Sequence, residues 1–242
     1  MKTKQLIITV LMAMTAAAAT AQNKWNFEFG AGASDNSGNV DNLSLKNNSS
    51  LYYEDSTLCF STSYKFIYQL ENGRESNKGI NSGLNFDFYK FGNWSTFVAV
   101  DLTSNHYKGY DFKSSSLTGA KYYFLSKPDT CEYSLSAAIV YDNVNYTDEA
   151  TNLNKEIWRL SVRPKIKQRI GQTLMFTLIA FYQPSIKDFG DYITNTMVHL
   201  ENKIGKRVYL DLSFNYEYRS EIPSDQYSHY DAATELTFKI KL

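Results

Sequence analysis

The sequence predicts an all-β protein: a single antiparallel, up-and-down transmembrane β-barrel of about twelve strands. Three observations favour this fold. Segments with period-2 alternation run from Trp25 to the last residue, the links between them are in turn short and long, and an export signal opens the chain. No later segment is apolar over the ~20 residues that a spanning helix needs. Only helices and closed barrels satisfy their backbone in lipid, so a membrane-spanning form of this chain must be a barrel.

The N-terminus predicts a Sec-type signal peptide over residues 1–21. Lys2 and Lys4 precede an apolar run from Leu6 to Met14, and small residues lead to Ala21, after which we expect cleavage. An uncleaved anchor is the alternative, but the run is too short to span a bilayer. We expect residues 22–242 to form one barrel domain, because they show no linker, repeat or low-complexity tract.

In each of the first five predicted strands, large side chains fall on every second residue, which places them on one face of the strand. The sixth strand, near residues 112–125, is the least clear because Ser114, Ser115 and Ser116 blur its start. The one-face residues of the first five strands are Trp25, Phe27 and Phe29; Leu43, Leu45, Leu51 and Tyr53; Leu58, Phe60, Tyr64, Phe66 and Tyr68; Ile80, Leu84, Phe86 and Phe88; and Trp94, Thr96, Val98, Val100 and Leu102.

The last six strands repeat this pattern up to the final residue. Pro164 interrupts the eighth strand, and since proline cannot donate to a ladder it predicts a bulge or a local kink. The one-face residues are Tyr133, Leu135, Ala137, Ile139 and Tyr141; Trp158, Leu160, Val162 and Ile166; Leu174, Phe176, Leu178, Ala180 and Tyr182; Tyr192, Val198 and Leu200; Val208, Leu210, Leu212, Phe214, Tyr216 and Tyr218; and Tyr230, Ala232, Thr234, Leu236, Phe238, Ile240 and Leu242.

The predicted links alternate between two classes along the chain. The short ones, at residues 54–56, 92–93, 127–129, 171–172 and 205–206, are rich in turn formers such as Gly and Pro-Asp. The long polar ones are residues 34–41, 71–78, 104–110, 143–155, 184–191 and 221–229. Outer-membrane barrels have short periplasmic turns and longer external loops, so this sorting favours that class over a sandwich with Greek-key crossings.

Composition adds little about partners. Without Lys2 and Lys4, the mature chain has 23 basic against 25 acidic residues, which leaves no basic footprint for nucleic acid. The 19 Tyr, 15 Phe and 3 Trp suit aromatic girdles at two membrane interfaces. Cys59 and Cys131 lie several predicted strands apart, so we expect no disulfide.

Three stretches carry a family resemblance: GNVDNLSL at residues 38–45, WRLSVRP at 158–164, and YEYRSEIP at 216–223, with Asp231 opening the last strand. Together they resemble the family of domain of unknown function 481, described as salt-induced outer-membrane proteins. The resemblance spans nearly all of the mature chain. It implies a barrel in the outer membrane of a Gram-negative bacterium and brings no catalytic or ligand residues. Such barrels often end in Phe, whereas this chain ends in Leu242.

Charged side chains of inward parity are the candidate site residues. On the eighth strand these are Arg159, Arg163, Lys165 and Lys167, and the acids on other strands are Glu28, Asp87, Asp101, Glu201, Asp211, Glu217 and Glu235. One interpretation is a basic stripe that favours anionic solutes in a pore. The other, which we favour, is an internal salt-bridge network, because unpaired charge in a confined space is costly.

Catalysis has little support in the sequence. His106 and His229 fall in predicted loops, and only His199 lies on a strand. An outer-membrane lipid-modifying enzyme that uses His199 or His229 is therefore an alternative. No H-E-x-x-H, Cys pair at ligand spacing, Gly-rich phosphate loop or G-x-S-x-G is present, so no metal or nucleotide cofactor is indicated.

The sequence therefore predicts a monomeric, non-enzymatic outer-membrane barrel, acting as an envelope component or a narrow solute channel. Its expected partners are outer-membrane lipid and the barrel-assembly machinery, and its solute is not indicated. A soluble periplasmic ligand-binding barrel is a second alternative.

Overall fold

The computed structural model describes residues 25–36, 42–54, 58–71, 74–105, 110–127, 129–146, 155–222 and 228–242. Within these ranges the regular elements are β-strands, each paired antiparallel with its chain neighbours. The strands are β1 Trp25–Asn36, β2 Asn42–Glu54, β3 Leu58–Glu71, β4 Arg74–Phe91, β5 Trp94–Asn105, β6 Tyr110–Lys127, β7 Cys131–Tyr146, β8 Lys155–Ile170, β9 Leu174–Pro184, β10 Tyr192–Lys203, β11 Val208–Arg219 and β12 Tyr230–Lys241. The sheet closes into a barrel, so the predicted twelve-stranded fold is confirmed.

The barrel closes between its first and last strands. The register of this seam runs from Glu28 opposite Lys241 to Gly32 opposite Thr237. Beyond the end of β12, the Leu242 nitrogen donates to the Phe27 oxygen at 2.9 Å, and the Phe27 nitrogen donates to the Leu242 oxygen at 3.2 Å. This pairing closes the sheet into a barrel, as lipid requires, through Glu28–Gly32 of β1 and Thr237–Lys241 of β12.

The two ends of the barrel differ in their connections. One end, here called the turn end, carries Trp25, Leu242 and tight turns in which Gly92 has φ 57° and Gly171 has φ 64°. These left-handed conformations suit glycine, which has no Cβ. The opposite end, here called the loop end, carries the links that follow β1, β3, β5, β7, β9 and β11.

The faces of the sheet have the polarity of a membrane barrel. Leu200, Leu212 and Leu236 lie side by side on β10, β11 and β12, and all three are exposed on the outside. The buried side chains of the described residues are in contrast mostly polar or charged. An apolar exterior around a polar interior is the reverse of a soluble barrel, so the soluble alternative is not supported.

Aromatic side chains cluster near both ends of this exterior. At the turn end, the Trp25 ring lies 4.8 Å from the Tyr53 ring, and the Trp94 ring lies 4.9 Å from the Tyr122 ring. Towards the loop end, the ring centroids of Tyr141 and Trp158 are 4.9 Å apart, with further ring contacts between Tyr182 and Tyr192 and between Tyr192 and Tyr218. Two such bands mark the two interfaces of a membrane.

Several strands are longer than predicted. The long link expected at residues 71–78 is wrong, because β3 continues to Glu71 and β4 begins at Arg74. β6 begins before Phe112, and its register shifts near both ends. The alternation of apolar and polar residues indicates only the part of a strand that has one apolar face. Backbone pairing continues beyond that part through polar residues, so the strand is longer than the pattern.

Pro164 produces a local irregularity in the ladder and not a bulge that shifts the register. The ladder between β8 and β9 is interrupted between the pair Val162–Tyr182 and the pair Lys165–Ile179, and it resumes in the same register. On its other side Pro164 stays opposite Leu135 of β7. The missing N–H therefore breaks one ladder locally without shifting it.

Three further expectations concern covalent and terminal features. The predicted signal peptide and its cleavage site lie outside the described residues. Cys59 and Cys131 are buried as free thiols on β3 and β7. In the part of the chain described here, no helix has the length and apolar character to cross a membrane.

Candidate functional site

The candidate site is the lumen, where the inward parity of all strands meets. In the half of the lumen nearest the turn end, a cavity of about 1390 Å³ is bounded at the rim by Gly92, Asn93 and Arg169. Deeper in the barrel it ends near Asp101 and Gln183. Its charged lining residues are Glu28, Glu54, Asp87, Asp101, Lys121, Lys127, Asp129, Glu132, Arg163, Lys165, Lys167, Arg169, Glu201 and Lys241.

The half of the lumen nearest the loop end contains a buried cluster around Arg159. The Arg159 Nη2 donates to Asp191 Oδ1 at 2.9 Å, and its Nη1 donates to the Asp191 carbonyl oxygen at 3.1 Å. The Arg159 Nε lies 3.4 Å from Asp142 Oδ2. Lys113 approaches the same Asp142 oxygen at 3.5 Å. Arg159 is only 4% exposed and Asp142 2%, so these side chains are themselves shielded from water.

A second ion pair crosses the seam of the barrel. Lys46 Nζ on β2 lies 2.8 Å from Glu235 Oε1 on β12, and Lys65 Nζ on β3 lies 3.3 Å from the same oxygen. β1 lies between these strands, and Gly32 is the residue of β1 opposite Lys46. At Gly30 a Cβ would overlap the end of the Asn48 side chain and lie 3.0 Å from Thr237 Cγ2, so a larger residue there would require Asn48 to move.

Charges on β10, β11 and β12 form a ladder across the lumen wall. Lys239 Nζ lies 2.7 Å from Asp211 Oδ2, which also accepts from or shares a proton with His199 Nδ1 at 3.1 Å. Lys241 Nζ lies 2.8 Å from Glu201 Oε1 and 3.0 Å from Glu28 Oε1. The last contact joins β12 to β1 and so ties the seam of the barrel on its inner face.

Two ion pairs line the cavity on the opposite wall. Lys121 Nζ lies 2.7 Å from Asp87 Oδ2, and Lys165 Nζ lies 2.7 Å from Glu132 Oε2. Both lysines are therefore neutralised by a carboxylate in contact.

Arg163 has a different environment. Its Nε donates to Ser136 Oγ at 3.1 Å, and its Cζ lies 5.8 Å from the centre of the Phe97 ring and 5.6 Å from that of Phe181. No carboxylate of the described residues lies within ion-pair distance of it.

The predicted site residues thus separate into several groups. Arg159, Lys165, Asp87, Glu201, Asp211 and Glu235 enter ion pairs across strands, and Glu28 contacts Lys241. Glu217 pairs instead with Arg219 of its own strand. Arg163, Lys167 and Asp101 have no ion pair among the described residues. The role of these charges in solute passage stays a prediction.

Several residues that form these ion pairs are not among the predicted site residues. Lys46, Lys65, Lys121, Glu132, Asp142, Lys239 and Lys241 have the inward parity of their strands, and the same rule applied to every charge would have found them. Asp191 lies in the link between β9 and β10, where no periodicity indicates which way a side chain points.

Of the three histidines, His199 and His229 lie in the described part of the chain, and neither belongs to a site directed at lipid. His199 points into the lumen beside Asp211. At the loop end, His229 Nδ1 donates to the Arg219 carbonyl oxygen at 2.7 Å, and its ring stacks on Tyr218. His106 lies outside the described residues. In the described part of the chain, no group of three or more His, Cys, Asp or Glu is arranged to hold a metal ion.

Comparisons with known proteins agree with this architecture. A family model described as protein of unknown function, DUF481, matches residues 29–241. An outer-membrane channel from Pseudomonas putida F1 is similar in structure with a TM-score of 0.51 at 9% identity, covering 90% of this chain and 94% of that chain. The NanC porin is similar with a TM-score of 0.50 at 8% identity, covering 90% and 97%. No curated protein sequence matches the chain. At these identities the likeness concerns the fold, which is that of outer-membrane barrels.

Proposed function

Because the chain belongs to the DUF481 family, whose description assigns no function, we propose from its lumen that the protein is a narrow, non-enzymatic solute channel. The observation that carries the proposal is the polar cavity of about 1390 Å³, which reaches the rim at the turn end. Inward side chains fill barrels of about eight strands, whereas in this twelve-stranded barrel they leave a space that is open from the rim inward.

The Arg159 cluster sets the width of this channel. It joins β7 and β8 to the link between β9 and β10, and it narrows the lumen beyond the cavity. A solute that crosses the barrel must pass this cluster. The pore is therefore expected to have a small unitary conductance in the wild type.

The proposal includes a location and an orientation. Residues 1–21 direct export and are removed, the barrel-assembly machinery inserts the chain as a monomer in the outer membrane of a Gram-negative bacterium, and the turn end faces the periplasm. The short turns at one end, which also carries the start of β1 and the end of β12, support this orientation. His199 supports the absence of lipid chemistry, because its side chain faces the lumen and not the hydrocarbon.

Planar-bilayer recording tests the channel. The folded protein should give discrete current steps, and Arg159→Ser should raise the unitary conductance several-fold because it removes a long side chain from the narrowest part. Lys206→Ser is the matched control, since Lys206 lies exposed in a turn at the rim. Its conductance should equal that of the wild type.

Absence of current would contradict the proposal. If folded, heat-modifiable wild-type protein and the Arg159→Ser variant both insert without conductance, the barrel is not a channel. Equal changes of conductance in Arg159→Ser and Lys206→Ser would instead refute the statement that the Arg159 cluster sets the width of the channel.

A further inference from the structure

Arg163 differs from the lumen lysines that hold an ion pair, and its planar guanidinium distinguishes it from Lys167. Lys121, Lys165, Lys239 and Lys241 each contact a carboxylate at 3.0 Å or less. Arg163 has hydrogen bonds only with Ser136 among the described residues: its Nε donates to the hydroxyl at 3.1 Å, and the Ser136 hydroxyl donates to its carbonyl oxygen at 3.4 Å. The two terminal nitrogens of its guanidinium therefore have no protein acceptor within the described part of the chain.

The aromatic rings on either side hold this guanidinium in place. Phe97 of β5 is only 3% exposed, and its ring centre lies 5.8 Å from Arg163 Cζ. Phe181 of β9 lies 5.6 Å away, next to the ladder interruption that Pro164 causes. Cation–π contacts stabilise the charge without using its N–H groups, so the donors of Arg163 stay available.

These donors face space that a solute can enter. Arg163, Phe97, Phe181 and Ser136 all line the cavity. Its volume, about 1390 Å³, exceeds the ~300–1,000 Å³ typical of small-molecule pockets. A guanidinium with its paired terminal donors unused matches the two oxygens of a carboxylate or phosphate.

We propose that Arg163, held between Phe97 and Phe181 and bonded to Ser136, is a binding site for the oxyanion group of a small organic solute. The proposal rests on the channel function, since the solute reaches the site through the lumen, and it names the class that the channel passes: small carboxylates or phosphate esters. Asp101, which also lines the cavity without an ion pair among the described residues, limits the site to solutes with few negative charges.

Binding to the purified, folded barrel in detergent tests the site directly. Isothermal titration calorimetry measures the binding of three probes of similar size: glucuronate, glucose 1-phosphate and neutral glucose. At least one anionic probe should bind saturably, and glucose should not. The probe that binds more tightly identifies the oxyanion as carboxylate or phosphate.

Two variants test whether binding requires the guanidinium or only a positive charge. Arg163→Lys keeps the charge but loses the planar pair of donors, so its dissociation constant should rise at least tenfold. Lys65→Gln removes a lumen cation that lies outside the cavity and should change the constant less than threefold. Heat-modifiable migration on gels confirms that each variant is folded.

The outcomes distinguish this site from the channel itself. Equal affinity of wild type and Arg163→Lys, or equal binding of glucose and glucuronate, would overturn the site even if the barrel conducts. Saturable binding that depends on Arg163, found in a barrel without conductance, would support the site and leave only the channel proposal refuted.

Discussion

At the scale of single residues, the lumen is governed by the cost of confining charge. The Arg159 guanidinium is 4% exposed, and its two carboxylate partners, Asp142 and Asp191, are also buried. Removing one member of such a group leaves the others charged and unpaired, which costs more than the pair itself contributes. Exposed pairs contribute much less, since water screens them.

This difference predicts unequal stability effects for two substitutions. Arg159→Met should lower the free energy of unfolding by about 3–5 kcal/mol, because the buried Asp191 loses its cation and Asp142 keeps only Lys113. Lys65→Met should cost less than about 1 kcal/mol, because Lys65 is half-exposed and Glu235 keeps Lys46. Urea unfolding followed by heat-modifiable migration measures both, and equal losses would show that the Arg159 cluster is not a buried network.

Gly119 shows a different constraint on a single residue. A Cβ there would overlap the Ala137 carbonyl oxygen and lie 2.8 Å from the Ala138 Cα, both of them backbone atoms of β7. Because backbone cannot move aside as a flexible side chain does, the close approach of β6 and β7 depends on glycine at this position.

At the scale of the strand, alternation determines what each side chain meets. Leu212 of β11 is 44% exposed on the lipid face, and Ser213 lies inside, opposite His199 and Glu235. Leu212→Arg should therefore lower the free energy of unfolding by on the order of 2–4 kcal/mol, because it places a charge near the bilayer midplane. Ser213→Arg should be milder, because the lumen is polar. If only Ser213→Arg abolished heat-modifiable folding, the assignment of the two faces would be wrong.

The terminal strand has a role that the other strands do not share. β12 pairs with β11 along its length and also closes the barrel on β1. Deleting residues 237–242 removes the whole described register with β1 and the inner-face contact of Lys241 with Glu28. The shortened chain should fail to assemble and appear as periplasmic aggregate or be degraded. Its recovery at normal levels in the outer membrane would show that closure does not need this segment.

At the scale of the whole molecule, the two ends should face opposite sides of the membrane. An epitope inserted between Asn152 and Asn154 should be labelled on intact cells, because this link follows β7 at the loop end. An epitope at Gly205, in the turn between β10 and β11, should be labelled only after the outer membrane is permeabilised. Equal labelling at both positions on intact cells would refute the orientation.

The number of strands, their order and the two faces of the sheet could be predicted from local sequence patterns. Period-2 alternation can be seen within a single short segment. It is pronounced in segments such as Leu236–Leu242, because one face of the strand meets lipid and the other faces the polar lumen. The pattern was weakest where both parities are polar. The predicted link at residues 71–78 failed for this reason, since pairing there continues without an apolar face.

Which charged side chains form ion pairs depends on the tertiary structure. Parity places Arg159 and Arg163 on the same inner face of β8, four residues apart, and the sequence gives both the same expectation. One is buried against Asp142 and Asp191, and the other lies between two rings and lines a cavity. The reason is that partners across a lumen come from strands far apart in the chain. Their proximity depends on the closure and register of the barrel, which no local pattern encodes.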